Sequence, residues 1–218
     1  MTALRLQERP LAMLAAGGTG GHLFPAQATA RALLRRDWRV VLVTDARGAG
    51  FGNDLPEGET RRIAAGSPCR GGALGKLRAA FDLGRGYLQS RRLIADLQPQ
   101  AVLGFGGYPS VPPLMAASRK RVRTLLHEQN QVVGRANRLL APRADVIATS
   151  FPEVSGLPPS AQGRAVLTGN PVRADIAAVG ARPYPRIDEK SQLILLVTGG
   201  SQGARAFDEL VPEAVAQL

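Results

Sequence analysis

The sequence predicts an α/β fold around a parallel sheet, and three observations predict it. Short apolar runs alternate with longer stretches at helical spacing, the pattern of strand–helix–strand units. The 25 glycines and 16 prolines fall in short loops between those runs, which calls for many short elements rather than a few long ones. With 44% hydrophobic and 21% charged residues, the chain has the make-up of a globular protein that buries a core.

The first strand is Leu11–Ala16. It follows Arg5 and Arg9 as the core of a secretion signal would, but it is shorter than the usual ~7–15 residues and Gly17-Gly18 come at once, so it reads as a buried strand. A helix over Pro25–Arg36 follows, with Pro25 at its first position, where a missing N–H costs nothing. Strands Arg39–Thr44 and Arg61–Ala65 come next. Leu74–Leu97 carries Leu74, Leu77, Phe81, Leu88 and Leu93 at near-helical spacing, with Gly84 and Gly86 weakening its middle. Strand Ala101–Gly104, helix Val111–Arg119, strand Arg123–His127, helix Arg135–Leu140 and strands Asp145–Thr149 and Ala165–Thr168 complete a first domain over residues 1–175. Between Arg173 and Gln192, Gly180, Pro183, Pro185 and mixed charges erase any period and mark a boundary. Strand Leu193–Thr198 and helix Ala204–Gln217 then begin a second domain over residues 190–218. A lone strand and helix bury no core by themselves.

Composition narrows the function. A single cysteine, Cys69, permits no internal disulfide and no cysteine metal cluster, and points to a reducing, cytoplasmic compartment. No run approaches the ~18 apolar residues of a membrane-spanning helix. The net charge of +11 suggests an anionic partner, whether nucleic acid, membrane surface or phosphorylated substrate, or else a plain bias toward arginine. Nucleic acid is disfavoured, because aromatic residues make up only 5% and are not interleaved with the basic ones.

Five glycine- and amide-rich segments follow strands. Gly17-Gly18-Thr19-Gly20-Gly21-His22 opens a helix, where free N–H groups and the helix dipole form an anion site suited to phosphate. A dinucleotide fingerprint fails here despite Asp45 after the second strand, since Leu23 stands where the third glycine belongs. Histidine is the side chain best suited to proton transfer at physiological pH, so His22 is either a general base for a hydroxyl or only a hydrogen-bonding group. Gly104-Phe105-Gly106-Gly107-Tyr108-Pro109-Ser110 offers amides, a hydroxyl and an aromatic face to a sugar or diphosphate, or is simply a tight turn. His127-Glu128-Gln129-Asn130, followed by Gly134, Asn137 and Arg138, gathers polar groups that are costly to bury without a ligand or network. Metal binding is not expected, because strand neighbours His127 and Glu128 point to opposite faces. Gly169-Asn170-Pro171-Val172-Arg173 and Gly199-Gly200-Ser201-Gln202-Gly203-Ala204-Arg205 close the set. The latter mirrors the Gly17–Gly21 segment, and Arg173 is either a phosphate partner or a solvated surface residue.

Taken together and in this order, GGTGGHLFPA, GFGGYPS, HEQN with its downstream GRANR, GNPVR and GGSQGA resemble the MurG-type transferases over nearly the whole chain, from Gly17 to Ala204. Members of that family join N-acetylglucosamine from UDP-GlcNAc to an undecaprenyl-diphosphate-linked muramoyl-pentapeptide, in peptidoglycan synthesis. The resemblance implies a two-domain GT-B fold with each half Rossmann-like, substrates in the cleft between the halves, and inversion at the sugar carbon with no metal or other cofactor. It implies that Thr19, Gly20, Gly21, Asn130, Arg173 and Ser201 contact the UDP-sugar. Gly18, His22, Gly106, Gly107, Tyr108, His127 and Gln129 are placed toward the lipid-linked acceptor and its diphosphate. The expected base is His22, with Glu128 second, and the leaving diphosphate is expected against helix N-termini and Arg173. An anionic membrane is the third expected partner, at the cytoplasmic face of the cell membrane. Leu74, Leu77 and Phe81 are expected to enter it, beside Arg78, Arg85, Arg70, Lys76, Arg91 and Arg92. Family members continue well beyond this length, so the chain alone is expected to bind donor poorly and turn over little. The rival readings are a related two-domain transferase acting on another lipid or natural product, and a non-catalytic membrane-surface or nucleotide-binding module.

Overall fold

The structure, a computed structural model, describes residues 9–17, 20–46, 48, 59–67, 72–184, 186, 188, 191, 192, 194–199 and 204–217. Gly18, Thr19, Cys69, Arg70 and Ser201, singled out above, lie outside these residues. Two compact units divide between Ala177 and Ala178.

The first unit holds a seven-stranded sheet of β1 (Leu11–Ala15), β2 (Arg39–Thr44), β3 (Glu59–Arg62), β4 (Ala101–Gly104), β5 (Arg123–Glu128), β6 (Val146–Thr149) and β7 (Ala165–Leu167). Every pairing is parallel, in the order β3-β2-β1-β4-β5-β6-β7. Parallel strands need helical crossovers that cover both sheet faces, so their side chains are buried on both sides. The core obeys this: Leu11, Met13 and Ala15 of β1 join one apolar cluster with Val41, Val102 and Leu126, while Ala12, Leu14 and Ala16 join another with Leu42, Leu23 and Phe105.

The helices of this unit are α1 (Gly20–Leu34), α2 (Gly72–Leu97), α3 (Val111–Arg119), α4 (Arg135–Leu140) and α5 (Pro159–Gln162), with α6 (Ala174–Gly180) crossing the division between units. Short 3-10 turns span Tyr108–Ser110 and Ala141–Arg143. The chain builds outward from β1 through β2 to β3, then returns to pair β4 on the other side of β1. That reversal creates a crevice beyond the carboxyl ends of β1 and β4, where doubly wound sheets bind ligands.

Three expectations need correction, while the helix expected over Leu74–Leu97 is present. Helix α1 starts at Gly20 rather than Pro25, so Pro25 lies inside it. The missing Pro25 N–H would have bonded Gly21 in the first turn, and glycines at 20 and 21 leave room for the ring. Strand β3 is Glu59–Arg62, not Arg61–Ala65, because its partner β2 ends at Thr44 opposite Arg62. Helix α2 runs unbroken through Gly84 and Gly86, and Gly86 lies so close to the Ala64 carbonyl that a Cβ there would collide. Residues 194–199 form no strand, since no other described segment of the second unit offers a ladder to pair with. That unit's other element is α7 (Arg205–Val215), none of whose residues is buried. The short helices α5 and α6 were not foreseen.

Candidate functional site

The β1–α1 and β4–α3 turns meet at the crevice. Gly104 stands opposite Ala15, and the Phe105 amide donates to the Ala15 carbonyl at 2.9 Å. The chain after Phe105 adopts φ 96° at Gly106 and 73° at Gly107, a left-handed backbone that glycine takes without steric cost. A Cβ on Gly107 would come 2.5 Å from the Gly17 carbonyl oxygen, and one on Gly17 would run into the Pro109 ring. The two turns are therefore interlocked through bare backbone. The Ser110 hydroxyl closes the second by donating to the Gly107 carbonyl at 2.7 Å.

Helix α1 begins beside them. Its first amides, at Gly20, Gly21 and His22, have no intrahelical acceptor and sit at the positive end of the dipole. Gly20 is buried, Gly21 is exposed and His22 is half-buried. The His22 ring lies over the second turn: a Cβ on Gly106 would approach its Nδ1 to 2.8 Å, and one on Gly107 its Cδ2 to 3.5 Å. His22 Nδ1 lies 3.3 Å from Gln129 Oε1, and Gln129 Nε2 donates to the Phe105 carbonyl at 2.8 Å. His22, Gly106, Gly107 and Gln129 are thus brought together.

The end of β5 is buried and polar. Glu128 is 2% exposed, and its carboxylate accepts four hydrogen bonds. Oε1 takes the Asn130 amide and Nδ2 at 3.0 and 3.1 Å, while Oε2 takes the Gly134 amide at 3.0 Å and Asn137 Nδ2 at 2.8 Å. Asn137 Nδ2 also donates to the His127 carbonyl at 3.0 Å. This network ties the strand end to α4 and leaves Asn130 exposed at its edge.

His127 is equally buried, with Nε2 at 3.2 Å from the Gly169 carbonyl and its ring 5.7 Å from that of Phe105. Its Nδ1 has no partner among the described residues. Burial holds the imidazole below the ordinary histidine value of 6.5, outweighing the opposite pulls of the Gly169 carbonyl and the Glu128 charge. Tyr108 is half-buried and packs against the main core cluster.

Arg173 stacks over the Phe24 ring with Cζ 4.4 Å from its centroid, and its Nε lies 3.8 Å from Asp175 Oδ1. The guanidinium is thereby held on the first turns of α1. Phe24, Asn137 and the Gly169 carbonyl were not assigned roles from the sequence. Each lay within a motif, Phe24 in GGTGGHLFPA, Asn137 downstream of HEQN and Gly169 in GNPVR, but its contact was not foreseen. Among the described residues no three His, Cys, Asp or Glu side chains gather as metal ligands would.

Most of the described residues expected at a membrane occupy one side of α2. Leu74, Leu77 and Phe81 are 83, 71 and 72% exposed, and Leu88, Lys76, Arg78, Arg85, Arg91 and Arg92 are exposed too. At 100° per residue Leu74, Leu77, Arg78, Phe81, Arg85 and Leu88 form one stripe, opposite the buried Ala79, Gly86, Ser90 and Ile94. Leu93 instead packs partly on the core. No helix among the described residues is long and apolar enough to cross a membrane.

Known proteins share this sequence and fold. The chain is 56% identical over 94% of its length to a UDP-N-acetylglucosamine--N-acetylmuramyl-(pentapeptide) pyrophosphoryl-undecaprenol N-acetylglucosamine transferase of Rhodospirillum centenum, covering 54% of that protein. It is 53% identical over 96% of its length to the enzyme of the same name from Methylorubrum populi, covering 56%. The chain thus spans a little over half the length of these curated relatives. A crystal structure of Acinetobacter baumannii MurG superposes with a TM-score of 0.71 at 29% identity, over 96% of this chain and 55% of that one. A UDP-N-acetylglucosamine 2-epimerase, at 12% identity and a TM-score of 0.53 over 75% of this chain and 49% of its own, shares the fold alone. The sequence model of the glycosyltransferase family 28 N-terminal domain matches residues 12–149, from β1 to the end of β6 and so through the whole crevice, and the chain belongs to that family.

Proposed function

We propose that this chain is the acceptor-side half of an inverting transferase that moves N-acetylglucosamine from UDP-GlcNAc to a lipid-linked muramoyl-pentapeptide. The observation that carries the reading is the pair of interlocked turns at the sheet's reversal point, with His22 resting on them. It occurs in a chain more than half identical to relatives named for that reaction.

In the reaction, the acceptor's C4 hydroxyl oxygen bonds to the anomeric carbon as the bond from that carbon to UDP breaks. The hydroxyl proton passes to His22, a base worth about 10²–10⁴-fold when well placed. Glu128 is the poorer base, because both its oxygens already hold two donors each. The start of α1 and Arg173, anchored on Phe24, face the growing charge on the diphosphate. As the resemblance implies, Thr19, Gly20, Gly21, Asn130, Arg173 and Ser201 are assigned to the UDP-sugar and Gly18 to the acceptor's diphosphate, with residues 190–218 read as the start of a second domain. Gly106, Gly107, Tyr108, His127 and Gln129 build the acceptor side.

The exposed stripe on α2 docks the protein on an anionic leaflet at the cytoplasmic face, where the acceptor's lipid resides. The test is transfer of labelled GlcNAc to a lipid-linked muramoyl-pentapeptide. It compares the 218-residue chain with a fusion that continues it through the second half of the Rhodospirillum centenum relative. Transfer by the fusion and little by the chain alone is the expected result. A folded fusion that transfers no label overturns the reading.

A further inference from the structure

Gln129 bridges two groups whose chemistry leaves no choice of orientation. Its amide nitrogen donates to the Phe105 carbonyl at 2.8 Å, and a carbonyl can only accept. The amide oxygen therefore faces His22 Nδ1, 3.3 Å away. An amide oxygen also only accepts, so the proton of that bond belongs to His22 Nδ1. Turning the amide over would set its oxygen against the Phe105 carbonyl oxygen and lose that bond, and an N–H offered to His22 Nδ1 instead would not offset the repulsion. The ring rests close over that turn, since a Cβ built on Gly106 would come 2.8 Å from Nδ1 and 2.9 Å from Cε1.

We propose that Gln129 is a positioning residue for His22, fixing the Nδ1–H tautomer and so leaving the lone pair of the neutral ring on Nε2. The catalytic use of that lone pair rests on the reading of His22 as the base, whereas the tautomer itself does not. Gln129 touches no substrate in this role. It acts through the imidazole, as the orienting partner of a catalytic histidine does.

The chain supplies its own control. His127 is the only other histidine. Its Nε2 faces the Gly169 carbonyl and its Nδ1 has no described partner, so it takes the opposite tautomer, Nε2–H. Two-bond ¹H–¹⁵N correlation of the imidazoles in the 218-residue chain, at a pH where both are neutral, reads each tautomer directly. His22→Gln assigns the two spectra.

The expected result is Nδ1–H for His22 and Nε2–H for His127. Gln129→Met, which fills the same space without either polar group, should move the His22 ratio about tenfold toward Nε2–H, near the upper worth of one neutral hydrogen bond. Gln129→Glu keeps an acceptor for Nδ1–H but lacks the donor to Phe105, and should preserve the wild-type tautomer. In the fusion, Gln129→Met should lower kcat with little change in KM, and Gln129→Glu should recover most of the loss. A His22 spectrum showing Nε2–H in the wild type, or Nδ1–H retained in Gln129→Met, overturns the proposal. If both spectra come out as expected while His22→Ala leaves the fusion's kcat intact, the tautomer relay stands and only the base assignment falls.

Discussion

The rim of the sheet where β1, β4 and β5 end and the outer stripe of α2 invert the usual division of a folded chain. At the rim, carboxylate, imidazole and amide groups are buried and hold one another in defined hydrogen bonds. On α2, leucines and a phenylalanine stand in solvent beside arginines. Polar groups inside and apolar groups outside each cost stability unless something compensates. At the rim the compensation is mostly internal: Glu128 accepts four hydrogen bonds, while His127 Nδ1 and Asn137 Oδ1 have no partner among the described residues. On α2 nothing among the described residues covers the stripe, which is what a surface kept for another phase should look like. Substitutions at the rim should therefore damage the protein itself, whereas substitutions on α2 should damage only its attachment.

The sharpest test of that contrast is His22→Ala, expected to cut turnover of the fusion by about 10²–10⁴-fold. A loss below about tenfold in steady-state transfer would remove His22 from the chemistry. Next comes Glu128→Ala, which strands buried donors from the β5 end and α4. We expect a stability loss of about 4 kcal/mol, measured by urea unfolding of the 218-residue chain, and a loss under about 1 kcal/mol would break the comparison at its core. A third pair separates strain from collision. Gly107→Ala suffers both a positive φ and the Gly17 carbonyl, and should cost about 3 kcal/mol. Gly169→Ala has φ 75° but open space around it, and should cost about 1 kcal/mol. Equal losses would mean that the turns are not interlocked.

A smaller effect follows from His127. Its folded-state pKa is depressed, so the unfolded chain takes up the proton first as pH falls. Stability from this group is complete above the ordinary value of 6.5 and declines below it until the folded form protonates as well. The slope is at most about 1.4 kcal/mol per pH unit for one proton. His127→Gln should flatten the pH dependence of the unfolding midpoint between roughly pH 7 and 5. The smallest effect on the fold belongs to α2. Leu77→Ser with Phe81→Ser, or Arg78→Glu with Arg85→Glu, should change stability by under about 0.5 kcal/mol yet reduce flotation with anionic vesicles severalfold. Unchanged flotation would leave the stripe without a purpose.

Much of this was legible before any coordinates. The central strands β1, β2, β4, β5 and β6 were legible because their buried apolar runs are easy to read, whereas the exposed edge strand β3 was placed two residues too late. The last expected strand, Leu193–Thr198, failed for a reason outside its own composition, since a strand exists only beside another. The start of α1 was misplaced because Pro25 signals a helix's first position locally, while the turn through Gly20 and Gly21 precedes it. The motifs located the crevice, but not who bonds to whom within it. That Glu128 is saturated by Asn130, Gly134 and Asn137, or that Arg173 rests on Phe24, depends on contacts across up to 149 residues of chain, the separation of Arg173 and Phe24 (173 − 24). Residue type gives no signal of such pairing. The stripe on α2 was legible as apolar spacing, yet only the buried Ala79, Gly86 and Ile94 opposite it reveal that the stripe faces out.

The meeting of Gly17 with Gly107 has a practical corollary for anyone wishing to retarget this scaffold. A floor made of main chain offers no side chain to trim or enlarge, and an added methyl on either residue displaces the other turn. Libraries aimed at new specificity should leave those positions fixed and vary exposed neighbours such as Gln131. Selectivity in this crevice is tunable from its walls alone.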